Sequence, residues 1–465
     1  MVTHRYVGIA VGLLMLVWFL SGVVMLFTGW PEVTDADRAA AQPPIAWANC
    51  CRFGEAQEVL QVQAAMVEDL AGRPVLRLDG QVLDLSNGQE VHRVSSADAA
   101  RVALAYAAAH RIGGRPGTPE AVERDQWTVT GYFNKRRPFH LFHFDDPAHT
   151  DIYVSAHTGE VSQVVDAKGK VLSWLGPIPH WLYPEALRAD TKLWAQVVIW
   201  TSIVGTFLTL TGLYLGVISW RPWRDRRVTP YRGLMAWHHL TGLFAGLLTL
   251  AWVASGLFSM TPFGFLESGP DDRGEQVAGA VSLGDLKLAV EGAKARGVQA
   301  RRLVLAPLGG QVFLMADGIR LDGSGRPAPL TPARLAEAAK ALGPIRHAET
   351  ITGPDAYFYD SHDLDAVLPA YRVELTDGVR FYLSPASGEV LARIDGPAKG
   401  YRWLFNALHR FDFVGGLYGG VAWTVTMVLM LVFAGAGVAT GVWLGWRRAR
   451  TDVGRLFKRK APKLG

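Results

Sequence analysis

The chain has 465 residues, of which 49% are hydrophobic and 11% aromatic, with 16 Trp and a formal net charge of +5. That much apolar and aromatic residue puts the membrane class ahead of any soluble one. A net positive chain admits a nucleic-acid partner on charge alone, but here the basic residues sit where apolar runs end, which excludes nucleic acid.

Residues 1–29 carry Arg5 and then the apolar run Tyr6–Gly29. It is the first of four runs free of Asp, Glu, Lys and Arg, the others being Leu193–Trp220, Trp237–Leu266 and Phe413–Trp446. Each can cross a hydrocarbon core of ~30 Å, which takes about 20 helical residues. Ala39-Ala40-Ala41 offers small residues for signal cleavage, yet the first run is longer than a usual signal-peptide core, so it reads as a retained span. Residues 30–192 form the first long segment. Its Cys50 and Cys51 are adjacent, an arrangement that rarely closes a comfortable disulfide, and no C-x-x-C-H is present; they receive no role. Val75–Gly80 predicts a hairpin turning at Asp79-Gly80. A capped helix is expected near Ser96–His110, and further strands end in Tyr153-Val-Ser-Ala-His-Thr-Gly159-Glu160-Val161. The second span (193–220) leads through a basic link (221–236) to the third (237–266). The second long segment, 267–412, repeats the pattern: a hairpin at Asp317-Gly318, a helix near Thr331–Leu342, and Tyr382-Leu-Ser-Pro-Ala-Ser-Gly388-Glu389-Val390. Each long segment reads as two small α+β units. The fourth span (413–446) and a basic tail (447–465) close the chain.

Arg5, the link and the tail together hold 14 basic and 2 acidic residues, a net of +12, which leaves −7 for the remainder. The positive-inside rule therefore places both termini and the link in the cytoplasm and the two long segments outside.

The spans repeat. Shifted by 234, the first falls on the third: His4 meets His238, Gly8 meets Gly242, Gly12 meets Gly246, Trp18 meets Trp252, and Ser21-Gly22 meets Ser255-Gly256. Shifted by 229, the second falls on the fourth: His180 meets His409, Trp194 meets Trp423, Gly212 meets Gly441 and Gly216 meets Gly445. Matches at Trp, Gly and His in one register are much rarer by chance than matches at Leu. Two tandem copies that both start and finish inside predict a pseudo-two-fold axis along the membrane normal, with equivalent residues facing across it.

The His-x-x-x-Gly-x-x-x-Gly opening of a span, the Tyr-x-x-x-x-[Ser/Thr]-Gly-Glu-Val strand-turn, and Leu408-His-Arg-Phe-Asp412 before the last span resemble the PepSY-associated transmembrane helix family. The resemblance runs from His4 to about Arg450. It implies a four-helix transmembrane bundle with α+β PepSY-like extracytoplasmic domains in a bacterial inner membrane. Some members are iron-regulated, and some are ferric-siderophore reductases with haem b. No Gly-rich dinucleotide motif and no cytoplasmic domain able to hold flavin is visible, so the implied electron donor is a quinol or a separate protein.

Histidines carry the candidate chemistry. His4 and His238 begin the first and third spans on the cytoplasmic side. Glycines at i+4 and i+8 share their face and would let a flat haem lie against the backbone. The competing reading is that these glycines serve helix packing alone. His239 rivals His238 but points about 100° away. His180 and His409 lie on the outer side, where a facing pair would clamp one haem iron; the alternative is an interfacial His that caps a helix or meets phosphate. Two bis-His haems, one at each face, would carry electrons across the bilayer. Met25 and Met260 do not align with each other and read as packing. His140 and His143 with Asp145 and Asp146, and His362 with Asp360 and Asp363, are weaker metal candidates, since residues three apart on a strand face opposite ways.

Neither H-E-x-x-H nor G-x-S-x-G is present, so zinc-protease and Ser-hydrolase readings lack support. Two functions compete with ferric-siderophore reduction. A siderophore permease is disfavoured by spans without a charged or Pro-broken midplane. A PepSY binding or regulatory module leaves the four end-of-span histidines unexplained.

Overall fold

The computed structural model describes residues 2–54, 60–78, 80–220, 228–360, 366–413 and 418–460. The chain divides into two compact units, one of residues 1–30, 171–267 and 397–465, the other of residues 31–170 and 268–396.

The first unit contains four helices long and apolar enough to cross a membrane: α1 (Val2–Met25), α2 (Thr191–Ser219), α3 (Leu234–Ser259) and α4 (Val421–Lys460). Three boundaries differ from expectation for backbone reasons. Helix α3 stops well before Leu266, because Thr261 turns left-handed and Pro262 cannot continue the hydrogen-bond ladder. Helix α1 stops before Gly29, ahead of Pro31. Helix α4 begins at Val421 rather than Phe413; Gly419 just before it has φ +77°, which breaks any earlier helix. At its other end α4 continues into the basic tail as far as Lys460. There Asp452 pairs with Arg448 one turn back and with Arg5 and Tyr6 of α1. Helix α1 packs on α4 and α2, and α3 packs on the same two. Small residues allow this: Gly12 takes the Val442 side chain, Gly246 takes Leu213 and Gly205 takes Val253. In lipid, such close approach replaces the apolar driving force that water would provide. Met15, Phe19, Trp252 and Met427 fill the centre, while Leu20, Phe244, Leu247 and Leu429 are exposed, as suits hydrocarbon.

The second unit is built on three antiparallel sheets. Strands β1 (Ala65–Leu70), β2 (Arg73–Leu78), β3 (Gln81–Asp84) and β4 (Gln89–Glu90) form a meander. Strands β5 (Glu120–Val122), β6 (Phe139–His143), β7 (Asp151–Ser155) and β8 (Val161–Val165) form a separate sheet. In the second segment β9 (Arg302–Leu305), β10 (Phe313–Ala316) and β11 (Ile319–Asp322) follow. A last sheet takes β12 (Ile345–Ile351), β13 (Ala370–Leu375), β14 (Arg380–Leu383) and β15 (Val390–Ile394). The two segments do not remain separate α+β units. Strand β1 pairs with β9, with Val67 opposite Leu303 and Glu68 opposite Arg302, giving one seven-stranded sheet in the order β11-β10-β9-β1-β2-β3-β4. The Glu68 carboxylate is 1% exposed and held by Arg77 at 2.7 Å and Arg302 at 3.0 Å. A carboxylate that deep needs such partners.

The expected local signals are present. Asp317 (φ +45°) and Gly318 (φ +92°) make the two-residue hairpin between β10 and β11. The β2–β3 loop is also two residues long, although Asp79 lies outside the described residues. Ser95 caps the helix Ser96–Ala109, and Thr331 caps Pro332–Ala339. Tyr153 donates to Asp125 at 2.7 Å, and Tyr382 donates to Asp355 at 2.8 Å. One expectation fails: Cys50 and Cys51 are bonded to each other. Their Cα atoms are 3.1 Å apart, and Cys50 is buried in the apolar core on one face of the large sheet.

Candidate functional site

The four end-of-span histidines all lie in the helical unit, as two pairs. His4 and His238 stand at the start of α1 and α3. His4 Nδ1 is 3.2 Å from Leu208 O and 3.4 Å from Thr211 Oγ1. His238 Nδ1 is 3.2 Å from both Gly437 O and Thr440 Oγ1. The two partner sets are the same positions shifted by 229. A Cβ on Gly212 would lie 2.7 Å from His4 Cε1, and one on Gly441 would lie 2.6 Å from His238 Cε1. These two glycines are what admit the rings.

The glycines singled out in sequence serve otherwise. Gly12 and Gly246 are filled by Val442 and Leu213, Gly8 meets Leu208 at 3.6 Å, and Gly242 has nothing within 4 Å. At i+8, then, the pattern is helix packing rather than a flat surface for a ring.

The second pair is near the other ends of α1 and α3. His180 sits in the short helix Pro177–Trp181, which ends at the left-handed Leu182. His409 sits in Leu408–Arg410, which ends at the left-handed Phe411. A π-helical turn, Arg402–Ala407, precedes His409, a geometry common beside functional side chains. The buried pair Arg402–Asp412, 2.8 Å apart, ties the two ends of this turn together. The His180 and His409 ring centroids are 6.1 Å apart, with the planes at 75° in an edge-on contact. His180 Nδ1 is 3.1 Å from Ser21 Oγ and 3.2 Å from Trp18 O; His409 Nδ1 is 2.9 Å from Ser255 Oγ. Burial pushes the His180 pKa down to about 4. Burial, then the nearby His180 and Arg410, pushes that of His409 down to about 3. Both imidazoles are therefore neutral at pH 7.

The partners fix the tautomers. A carbonyl only accepts, so Nδ1 carries the proton in His4, His180 and His238. Ser255 Oγ donates to Trp252 O at 3.0 Å, so it accepts from His409 Nδ1–H; Ser21 Oγ, donating to Val17 O at 2.7 Å, does the same for His180. All four rings thus present a bare Nε2, for which no hydrogen-bond partner appears among the described residues. His239 is different. Its Nε2 donates to Gly216 O and its Nδ1 accepts from Thr229, both at 2.9 Å, so neither nitrogen is left over.

The remaining candidates do not converge. His140 is buried and bonded to Val94 O at 3.0 Å, whereas His143 faces Asp151 at 2.7 Å. His362 and Asp363 lie outside the described residues. Among the described residues no cluster of three His, Cys, Asp or Glu side chains is set to hold a metal ion. Sequence reasoning matched Ser21 with Ser255 and Gly212 with Gly441 as repeat positions but gave them no task. Their signal was that register: a polar or backbone-exposing residue at the same place in both copies.

The profile of the PepSY-associated TM region matches residues 1–299. The chain belongs to that family. As a PepSY-associated membrane protein it carries three of the four paired histidines, His4, His180 and His238, inside the matched stretch and His409 beyond it. No curated protein matches this PepSY-associated chain significantly.

Proposed function

We propose that this multi-pass membrane protein binds haem b at both ends of its helical unit and passes electrons outward to ferric siderophores. The observation that carries the reading is the His180–His409 geometry. Two imidazoles meeting one ion from opposite sides, each nitrogen about 2.0 Å from it and about 1.1 Å from its ring centre, would have centroids about 6.2 Å apart. The observed 6.1 Å fits. The donor set fits as well: neutral rings, Nε2 bare, Nδ1–H held by Ser21, Ser255 and Trp18. A ligating His donates its other N–H in this way almost without exception. His4 and His238 repeat the Nδ1 partners, with Thr211, Thr440 and two carbonyls. Ser21 is 17 residues along α1 from His4, about 25 Å of helix, so the pairs would serve opposite faces.

Haem held by these histidines would supply a one-electron couple, which suits electron transfer. The chain's part is to fix ring orientation and to keep the imidazoles neutral. Iron(III) is held tightly by hard oxygen ligands and iron(II) much less so; one electron delivered to a ferric siderophore loosens its metal without nucleophile or general acid. The donor would be a quinol or a separate reductase. The reading also takes the halves as tandem copies about a pseudo-two-fold axis, both termini cytoplasmic in a bacterial inner membrane, which the 14-to-2 basic excess supports.

The test is the visible spectrum of protein purified from haem-replete membranes. Low-spin, bis-imidazole bands are expected, with H180A or H409A removing one haem and leaving the other. Protein without a haem band would sink the proposal. Haem reoxidised by artificial acceptors but not by a ferric siderophore would leave the electron-transfer core and remove the substrate.

A further inference from the structure

We propose that the turn following α3 inserts the Phe263 ring into the bilayer, at the boundary between acyl chains and headgroups, and so fixes the depth at which α3 stands. Phe263 is 95% exposed, the most exposed large hydrophobic side chain among the described residues. Its backbone is left-handed, with φ +66°, and so is that of Thr261, with φ +42°. Such conformations are costly for any residue with a Cβ, above all a bulky one. In water this turn would combine backbone strain with an unburied phenyl ring and gain from neither.

The turn is built to hold that ring outward. The Gly264 N–H donates to Thr261 O at 3.0 Å, and the Glu267 N–H donates to Gly264 O at 3.1 Å. The Thr261 hydroxyl donates to the Glu267 carboxylate at 2.8 Å. On the inner side Leu266 is buried. It lies against Gly400, where a Cβ would be 2.9 Å from Leu266 Cδ2. Phe265 makes an edge contact with Phe258 of α3, ring centroids 6.1 Å apart. The chain therefore doubles back alongside the last turn of the helix. With Phe265 and Leu266 pinned to the helical unit, Phe263 is left standing away from it.

Lipid is the occupant that the position of the turn selects. Residues 240–259, which follow His239 in α3, are about 20 helical residues and so about 30 Å long, the thickness of a hydrocarbon core. Phe244 and Leu247 are exposed on the same stretch. Phe263 comes four residues after Ser259, and Glu267, the first charged residue past the span, comes four residues later. A ring bracketed by an apolar helix and a carboxylate matches the layer where aromatic side chains gather in membrane proteins. The end of α1 adds Phe27, 70% exposed just past that helix. Helix α3 also carries Trp252 and Ser255, which bond His409, so its depth sets the depth of that pair. The turn would keep this role whether or not haem is bound.

The test is a nitroxide label on F263C in the full chain, reconstituted into vesicles of phosphatidylcholine and phosphatidylglycerol. Cys50 and Cys51 are bonded to each other, so the added thiol takes the label. Electron paramagnetic resonance then compares relaxation by oxygen, which concentrates among acyl chains, with relaxation by a nickel chelate, which stays in water. The oxygen-to-nickel ratio is expected to be roughly fivefold above that of a label on E291C, at an exposed position of the second unit. F265C, on the same turn, gives an independent reading and should follow it. A ratio at the E291C level would put the turn in water and overturn the proposal. A label shielded from both reagents as the protein-to-lipid ratio rises would also overturn it, since a second copy would then cover the ring.

Discussion

At the scale of single residues, the hydroxyls and carbonyls behind the histidines decide more than the histidines themselves. They select the Nδ1–H tautomer and aim Nε2, and second-shell partners of this kind are worth about 10–100-fold in metal affinity. On the proposed haem reading, S21A and S255A are therefore expected to weaken haem retention at the His180–His409 pair by about tenfold each, leaving the other pair unaltered; a haem-release assay against apomyoglobin measures it, and no change in rate would deny the serines this task. Acid should act on the same pair. In the haem-free protein burial holds both imidazoles well below their ordinary value, which is near 6.5 when unfolded. The unfolded state thus binds protons first, and stability at this end falls as pH drops from about 6.5 towards 4. Helical packing at that end, followed by hydrogen exchange, should loosen across this window and recover on return to pH 7. The histidines were legible because each occurs twice in one register. The hydroxyls were not, since Ser and Thr are common in apolar helices and bond their own i−4 carbonyls, as Ser21 does with Val17.

At the scale of elements, the Gly-Glu-Val turns show how a motif states a shape. Gly159 and Gly388 have φ of +73° and +86°. A Cβ there would lie 2.6 Å from Leu70 Cδ1 and 2.8 Å from Leu308 Cδ1. Backbone conformation and space both demand glycine, so G159A or G388A should destabilise the second unit by about 2 kcal/mol, read as a lowered urea midpoint. The strand before the turn carries a second constraint. Burial opposes ionisation of Asp355, but hydrogen bonds from the Tyr357 backbone, Arg372 and Tyr382 outweigh it and hold the carboxyl below its ordinary value. A depressed carboxyl contributes stability above its unfolded pKa and loses it as pH falls through the folded one. Y382F should cost about 1 kcal/mol at neutral pH and less in acid; an equal cost at pH 3 and 7 would mean that the hydroxyl bonds something other than a carboxylate. The motif tyrosines were visible in the sequence, but their acceptors, Asp125 and Asp355, lie 28 and 27 residues away in irregular chain, where no periodicity marks them.

At the scale of the whole molecule, the four spans were legible because lipid imposes length and excludes charge over each. Span ends were less so: hydropathy continues through Phe263 and Phe265 after Pro262 has stopped α3. The shared sheet was not legible at all. Strands β1 and β9 lie more than 230 residues apart, and alternating apolar residues predict a strand without naming its neighbour. Their pairing has a consequence for how the second unit is made. Residues 31–170 alone would leave β1 an open edge, with unpaired backbone groups along Met66–Glu68, a template for aggregation. Glu68 would keep Arg77 but lose Arg302, and the core lining the large sheet would lose Leu286, Val290, Leu303 and Leu314. The same holds for residues 268–396 with β9 as the open edge. Each fragment expressed singly is expected to aggregate or bind a hydrophobic dye, whereas the two co-expressed should elute as a one-to-one complex on size exclusion. A fragment 31–170 that is monomeric and cooperatively folded on its own would show that the β1–β9 ladder is an accessory contact and that each segment is its own folding unit.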